Sequence, residues 1–440
     1  MSVILEKDLV KDYRQETIGR FLKFVEQFER DLVPKMKARG YKRSSNSERT
    51  VLFTFGEVTF SRSRWYKDGV CRIPLDEKLG LQKHVRHSGE LIYQVAQLST
   101  YMSYRQVVEV VKMVYGLDIT KDTVDKAVKL SGVLLDQQEK YRFFEEEKKE
   151  KASPDVLYIE GDGLLVKSCE EGDERRNKEL AHFIIHEGSQ EELKNRFALQ
   201  GKKEFVSTNH SKAKDQLLDY LFNHYQLSSH TILVTNSDEG KGYQYSTFQE
   251  MAKAFHVVRH EHFWDSYHLN LKIKEVTRDF PQQVRDQFFK AIQTNSTEKL
   301  EIAFDTLESL IEDEQQLEQF KDFKRKLSRN FDFTIPAKLR GLQSTGIGIM
   351  ESQHRKITYR MKKRGMYCST RGLDTMANLI LLRHEGNLRD LFFGDWRKQY
   401  AYYSELEQHS VNEYLDKTQK DPGHQIPTGH LTKPIAFFEN

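Results

Sequence analysis

The stretch from Leu157 to Val166, reading Leu-Tyr-Ile-Glu-Gly-Asp-Gly-Leu-Leu-Val, constrains the fold more than any other part of this 440-residue chain. Apolar residues flank a Glu160-Gly161-Asp162-Gly163 centre. The run is short, partly β-branched and free of proline, which predicts a buried strand. A carboxylate in the middle of such a strand costs free energy unless something pairs with it. The glycines on either side of Asp162 leave room for a ligand or another backbone to come close. A bulge carrying a solvated Asp explains this stretch equally well. Two further acidic positions downstream, each at the end of an apolar run, shift the balance.

The length allows two or three domains, each with its own core. Residues 145–151, Glu-Glu-Glu-Lys-Lys-Glu-Lys, form a charge run without apolar period that closes before Pro154, and a domain boundary is expected there. From residue 155 to 265 strands and helices alternate: the opening strand, Ala181 to Ile185, Glu204 to Val206, a helix over 211–225, Thr231 to Val234, a helix over 246–255 and His256 to Arg259. That order predicts a mixed α/β sheet. Residues 266–330 read as helical throughout, with Leu300, Phe304, Leu307 and Ile311 in one stripe, and look like an insertion that delays the return to the sheet. The division is therefore 1–150, 151–265, 266–340, 341–395 and, as a last helix with an extended tail, 396–440.

The first segment predicts a helix over 14–38, kinked near Pro34, then a hairpin in which Val51, Phe53 and Phe55 alternate and Gly56-Glu57 turns. Its second strand runs into Arg62-Ser-Arg64-Trp-Tyr-Lys, where cations interleave with aromatics. Such a ribbon can lie on a phosphate backbone, and it can equally be an edge protected by charge. Over 88–131 the sequence gives helices at 88–98 and 105–115, a turn at Gly116, a cap at Thr120 and a short helix exposing Lys121, Lys126 and Lys129. A helix, a glycine turn and a second short helix make a helix-turn-helix pattern, or an ordinary helical hairpin.

Bulk charge does not decide between these readings. With 69 basic and 66 acidic residues the net charge is +3, so only a local basic patch can support nucleic-acid binding. Cys71, Cys169 and Cys368 are too far apart for a zinc ribbon or a disulfide framework. The N-terminus meets charge too early for a signal peptide, and Leu379 to Leu382 is too short to span a bilayer, so a cytoplasmic protein is expected. His256, His260 and His262 lack a nearby cysteine and read as a solvated or DNA-facing cluster rather than a zinc site.

Asp238 stands at the C-terminal end of its predicted strand, where open α/β sheets place ligands. Glu351 lies beyond the helical insertion, on a helix whose one face carries His354, Arg355, Thr358 and Lys362. Phosphodiester chemistry uses two hard cations held by shared carboxylates, and magnesium needs only two or three of them.

Tyr158-Ile-Glu-Gly-Asp162-Gly, Thr235-Asn-Ser-Asp238-Glu-Gly and the helix opening at Glu351 resemble the Asp, Asp, Glu signature of the DDE transposases. Asp265-Ser-Tyr-His268 resembles the Cys/Asp-x-x-His motif of their Mutator-like branch. Overall the chain is similar to the ISLre-type bacterial insertion-sequence transposases, from Phe55-Gly-Glu-Val58 and Pro74-Leu-Asp-Glu-Lys-Leu-Gly-Leu81 to Arg364-Gly-Met-Tyr-Cys-Ser-Thr-Arg-Gly372. The resemblance implies a multi-domain α/β protein: an RNase H-like mixed-sheet core interrupted by an all-helical insertion and preceded by a DNA-binding region. It implies nicking and strand transfer at terminal inverted repeats, with two Mg2+ ions (or Mn2+) on Asp162, Asp238 and Glu351. Asp265 and His268 would be the auxiliary pair. Double-stranded DNA would be the partner of a homo-oligomer in the nucleoid, not a membrane. Arg62, Arg64, Lys121, Lys126, Lys129, His354, Arg355 and Lys362 are the candidate DNA contacts. Glu160, on the same strand face as Asp162, competes for the first ligand role. A nuclease that cuts without joining and a non-catalytic DNA-binding protein are the other classes.

Overall fold

The computed structural model describes residues 5–145, 150–170, 175–194, 196–364 and 366–404. Helix α1 (Glu6–Ala38) runs on through Pro34, with Glu6 and Asp8 in its first turn and Lys35 and Lys37 in its last, as the helix dipole favours. Its Val25, Leu32 and Met36 are buried against the antiparallel hairpin β1 (Lys42–Phe53) and β2 (Gly56–Lys67), with β3 (Val70–Arg72) at the edge. After the short α2 (Pro74–Lys78) come α3 (Gly89–Ser99), capped by the Ser88 side chain, and α4 (Tyr104–Tyr115), which opens on a Ser103–Gln106 capping box. Gly116, at φ 65°, ends α4 in the left-handed conformation that glycine adopts without strain. Helix α5 (Lys121–Glu145) is 25 residues long, not the short helix expected from the sequence.

The central sheet contains β4 (Val156–Ser168), β5 (Arg176–His186), β8 (Lys203–Ser207), β9 (Ile232–Ser237) and β10 (Arg259–Trp264). A separate hairpin, β6 (Gly188–Leu193) and β7 (Arg196–Gln200), interrupts it, and helices α6 (His210–His224) and α7 (Tyr245–Ala254) connect the later strands. The order is β10-β9-β4-β5-β8. Strands β4, β5 and β8 pair antiparallel, whereas β9 runs parallel to β4 and β10 parallel to β9. The last strand begins at Arg259, three residues later than the expected start at His256, because His256 sits in a turn at φ 56°.

Four helices follow: α8 (Ser266–Val276), α9 (Gln282–Gln293), α10 (Thr297–Glu308) and α11 (Glu314–Arg329). They enclose their own core, in which Phe288, Phe304, Phe320 and Phe323 meet edge to face. The chain then returns to the sheet as α12 (Met350–Met361), α13 (Thr370–His384) and α14 (Leu388–Phe393).

Strand alternation assigns each face of β4 a different cover. Leu157 and Ile159 pack under α6 and α7 with Phe183, Leu217 and Phe248. Leu164 and Val166 pack under α12 and α13 with Ile357 and Met376. Glu160 and Asp162 share the second face. Helix α5 is long because α13 and α14 lie along it: Leu134 and Tyr141 continue its buried stripe beside Leu379 and Leu391. Gly132 fits there because any Cβ would meet the Thr375 hydroxyl at 2.8 Å. The pair α4–α5 is therefore joined at a glycine corner, but its second helix is the central rod of a bundle. No helix among the described residues is long and apolar enough to cross a membrane. Of the expected last helix and extended tail over 396–440, everything beyond residue 404 lies outside the described residues, as does most of the charge run after Glu145.

Candidate active site

Pairing of β4 with β9 sets Gly161 beside Ser237, so Asp162, in the middle of β4, and Asp238, one residue past the end of β9, come next to one another across adjacent parallel strands. Asp162 is buried, and its Oδ1 accepts from the Gly163 N–H at 2.7 Å. Oδ1 of Asp238 accepts from the Gly240 N–H at 2.7 Å, an approach only glycine permits, since a Cβ there would meet that same oxygen at 2.7 Å. Burial and then the charge of Asp162 raise the Asp238 carboxyl above its ordinary value, while the Gly240 N–H, His268 and Lys326 pull the other way.

The Asp-x-x-His segment supplies a cap and an arm. Asp265 is the N-cap of α8; its Oδ1 accepts from the N–H groups of Tyr267 (2.9 Å) and His268 (3.1 Å). Its own N–H donates to the Ser237 carbonyl at 2.7 Å, fixing the helix start to the end of β9. One turn on, His268 Nε2 lies 3.5 Å from Asp162 Oδ2, and that contact raises the imidazole's proton affinity against the effect of burial.

Glu351 lies in the first turn of α12, exposed, and no side-chain hydrogen bond or ion pair engages it among the described residues. What brings its helix to the acidic pair is Glu160. Its two oxygens accept from the N–H groups of Gly348 (2.8 Å) and Ile349 (2.9 Å), directly before α12. Burial pushes this carboxyl up to about 8, against the downward pull of those bonds. Glu160 is thus turned away from the metal-ligand role that its position beside Asp162 allowed. Gly348, at φ 76°, supplies the left-handed turn, and a Cβ there would lie 3.4 Å from Asp265 Oδ2.

His354 corrects a sequence expectation. It is buried at 4% exposure rather than displayed to DNA, with Nδ1 3.8 Å from Asp162 Oδ2, and burial holds its imidazole down at about 4. Behind it stands a group the sequence reading missed. His182, opposite Asp162 across β4 and β5, packs its ring 5.2 Å from that of His354 and contacts Glu204 Oε2 at 3.1 Å. Burial alone would raise Glu204, yet His182 and Lys356 hold it far below the usual carboxylate range. Nδ1 of His182 and Nε2 of His354 are buried with no hydrogen-bond partner. The available signal was a histidine set within the apolar run Ala181 to Ile185.

The predicted cations divide. Arg62 is not displayed: its guanidinium meets Asp76 at 3.0 Å, beside Arg49 at 2.7 Å from the same oxygen. Arg64, Lys121, Lys126, Arg355 and Lys362 are exposed, and Lys129 is exposed but paired with Asp125 at 2.8 Å. The histidines of β10 are neither solvated nor turned to a ligand. His260 and His262 both bond Thr235 Oγ1, at 2.8 and 2.7 Å, and His262 Nε2 meets Glu239 at 2.6 Å. Among the described residues no group of three or more His, Cys, Asp or Glu side chains is arranged to hold a metal ion.

Residues 5–399 match the Uncharacterised protein family (UPF0236). A UPF0236 protein from Streptococcus gallolyticus, described as in the vanSb 3' region, is 29% identical over 97% of this chain and 92% of its own length. One from Caldanaerobacter subterraneus subsp. tengcongensis, whose name joins eleven labels from TTE0033 to TTE2212, is 24% identical over 84% of this chain and 75% of its own. Among solved structures, the Drosophila P element transposase strand transfer complex covers 74% of this chain and 88% of that one at 12% identity. Its TM-score of 0.24 is too low to argue from.

Proposed function

The chain belongs to the uncharacterised protein family UPF0236, and we propose that it is the DNA transposase of a bacterial insertion sequence, cutting and joining DNA with a metal-dependent acidic centre. The observation that carries this reading is the placement of Asp162, in the middle of β4, beside Asp238, just past the end of the adjacent parallel strand β9, with the Glu351 helix tied to β4 by Glu160.

The strand order supports an RNase H-like core. Three antiparallel strands open the sheet, the first lies in the middle, and the fourth and fifth run parallel to it. The relative whose name joins eleven labels in one bacterium adds support, because repetition of one sequence within a genome is what a self-copying gene leaves behind.

The donor set fits magnesium or manganese. Carboxylate oxygens suit hard cations, two or three carboxylates suffice for Mg2+, and the raised Asp238 carboxyl beside Asp162 is a cost that a cation would relieve. Asp162 and Asp238 would hold the metal as a pair, and Glu351, which is not gathered into a three-ligand group with them among the described residues, would join from the helix start once the metal is bound. When bound, such ions stabilise the attacking and leaving oxygens of an in-line phosphoryl displacement. The chain's own residues do the positioning. His268 and His354 flank Oδ2 of Asp162 while the Gly163 N–H holds its Oδ1, and the Gly240 N–H holds Oδ1 of Asp238. Asp265 aligns the His268 helix.

The test is purified full-length protein incubated with Mg2+ and a plasmid carrying the flanking ends of the gene. Nicked ends and joined products are expected from the wild type and from neither Asp162→Asn nor Asp238→Asn. Cutting without joined products would leave a nuclease, and full activity in Asp162→Asn would remove the proposed centre.

A further inference from the structure

Beside Asp238 a cleft of about 650 Å³ opens between the helical insertion and the end of the sheet. Its floor is Glu239 and Tyr245, its wall α11 with Arg325, Lys326 and Arg329, and Phe333 closes one end. The floor is committed inward: the Glu239 carboxylate accepts from the Tyr245 N–H at 3.0 Å and meets His262 Nε2 at 2.6 Å. The Tyr245 ring is packed between His260 and Phe333, with centroids at 5.4 and 4.8 Å.

The wall is only partly committed. Arg325 is paired with Asp322, whereas Lys326 donates to the backbone carbonyl of Asp238 at 3.2 Å and lies 5.4 Å over the Trp264 ring, with no carboxylate partner among the described residues. Arg329 is exposed and makes no hydrogen bond or ion pair among the described residues. Spaced i, i+3, the two side chains leave one helix face with their Cβ atoms about 5–6 Å apart, so that both can reach the same stretch of backbone phosphates. An acidic centre repels a polyanion, so a strand that passes it needs cations close by. Here they come from the insertion, directly against the backbone of Asp238.

We infer that this cleft holds the phosphodiester backbone of a DNA strand next to the acidic centre, with Lys326 and Arg329 as its contacts. The inference rests on the proposed function and gives the insertion a task in it: a clamp on the substrate strand. Glu239 and the packed aromatics shape the floor without reading a base.

The experiment uses full-length protein and a random-sequence duplex bearing a single-stranded extension, with affinity measured at several salt concentrations. The double variant Lys326→Gln, Arg329→Gln is compared with Lys290→Gln, a surface control on α9. The double variant should bind about tenfold more weakly at low salt and lose about 1.4 from the slope of log affinity against log salt, at roughly 0.7 per phosphate. An unchanged slope in the double variant, with normal wild-type binding and cutting, overturns the clamp and leaves the proposed function standing. Wild type that neither binds nor cuts overturns both. Wild type that binds a free nucleoside triphosphate through Arg329, with strand affinity untouched in the double variant, assigns the cleft a different occupant and overturns the proposal.

Discussion

The Glu160 carboxylate accepts the backbone N–H of Ile349 at 2.9 Å across 189 positions of sequence, joining the strand that carries Asp162 to the helix that carries Glu351. Gly348 completes the clasp from the neighbouring N–H. The long helical insertion enters and leaves the sheet domain between Asp238 and this point. A bond at the return end spares the third acidic residue from drifting with the insertion.

Glu160→Gln should therefore damage stability and cleavage together. Glutamine keeps one acceptor and turns an NH2 toward the other N–H, leaving a buried donor unpaired at about 1–3 kcal/mol. The damage should be larger near neutral pH, where the buried carboxyl keeps its proton, than above about pH 8, because the wild type itself loses stability as pH rises toward that value. Urea unfolding and plasmid cleavage measure the two losses. Normal stability with normal cleavage would show that the clasp has no work to do.

Divalent metal should stabilise the folded chain through the acidic pair. Saturation at about a hundred times Kd corresponds to about 2.7 kcal/mol, visible as a rise in Tm and reversed by a chelator. Asp162→Asn and Asp238→Asn should abolish the rise, because each removes a charge and leaves the volume unchanged. Glu351→Gln should reduce it, since that residue lies exposed at the helix start. An equal rise in wild type and Asp162→Asn would place the metal elsewhere.

Arg62 and Arg64, two positions apart on β2, should separate stability from DNA binding. Arg62→Ala breaks a buried pair with Asp76, whose other partner Arg49 remains, and should cost about 2 kcal/mol in a denaturant melt. Arg64→Ala, at an exposed position, should stay within about 0.5 kcal/mol of wild type. If Arg64 reaches a phosphate, its loss should lower the salt slope of duplex binding by about 0.9. The reverse assignment of effects would mean that the hairpin presents its other face to DNA.

Much of the fold could be read locally. The β4 run, the four-helix insertion and the alternation of strands and helices each declare themselves within a few residues, since burial imposes a period on the side chains. What stayed hidden depended on distant partners. The role of Glu160 lies with backbone groups on the far side of the insertion. His354 shares a helix face with Arg355 and Lys362 in the sequence pattern, but the pattern cannot say which edge of that face turns inward; packing on β4 does. The hairpin β6–β7 is largely exposed and polar, so no apolar alternation marked it. Helix α5 outran its expected end because α13 and α14, more than two hundred positions on, cover its second half.

His186 gives the pH prediction with the clearest sign. It is fully buried, stacked on Tyr158 at 4.7 Å, and its Nδ1 accepts from the Gly188 N–H at 3.1 Å. Burial lowers its pKa from 6.5 to about 4. The folded state thus favours the neutral ring, while the unfolded chain takes up a proton below 6.5. The stability this provides is complete above pH 6.5 and is lost as pH falls through about 4, to a limit of about 3 kcal/mol. His186→Gln keeps an acceptor for Gly188 and removes the titration. Urea unfolding at about pH 7 and pH 4 should then show a smaller acid loss in the variant, by up to that amount. Equal losses in the two proteins would mean that the ring protonates within the fold, which the packed Tyr158 face and the unpartnered Nε2 argue against.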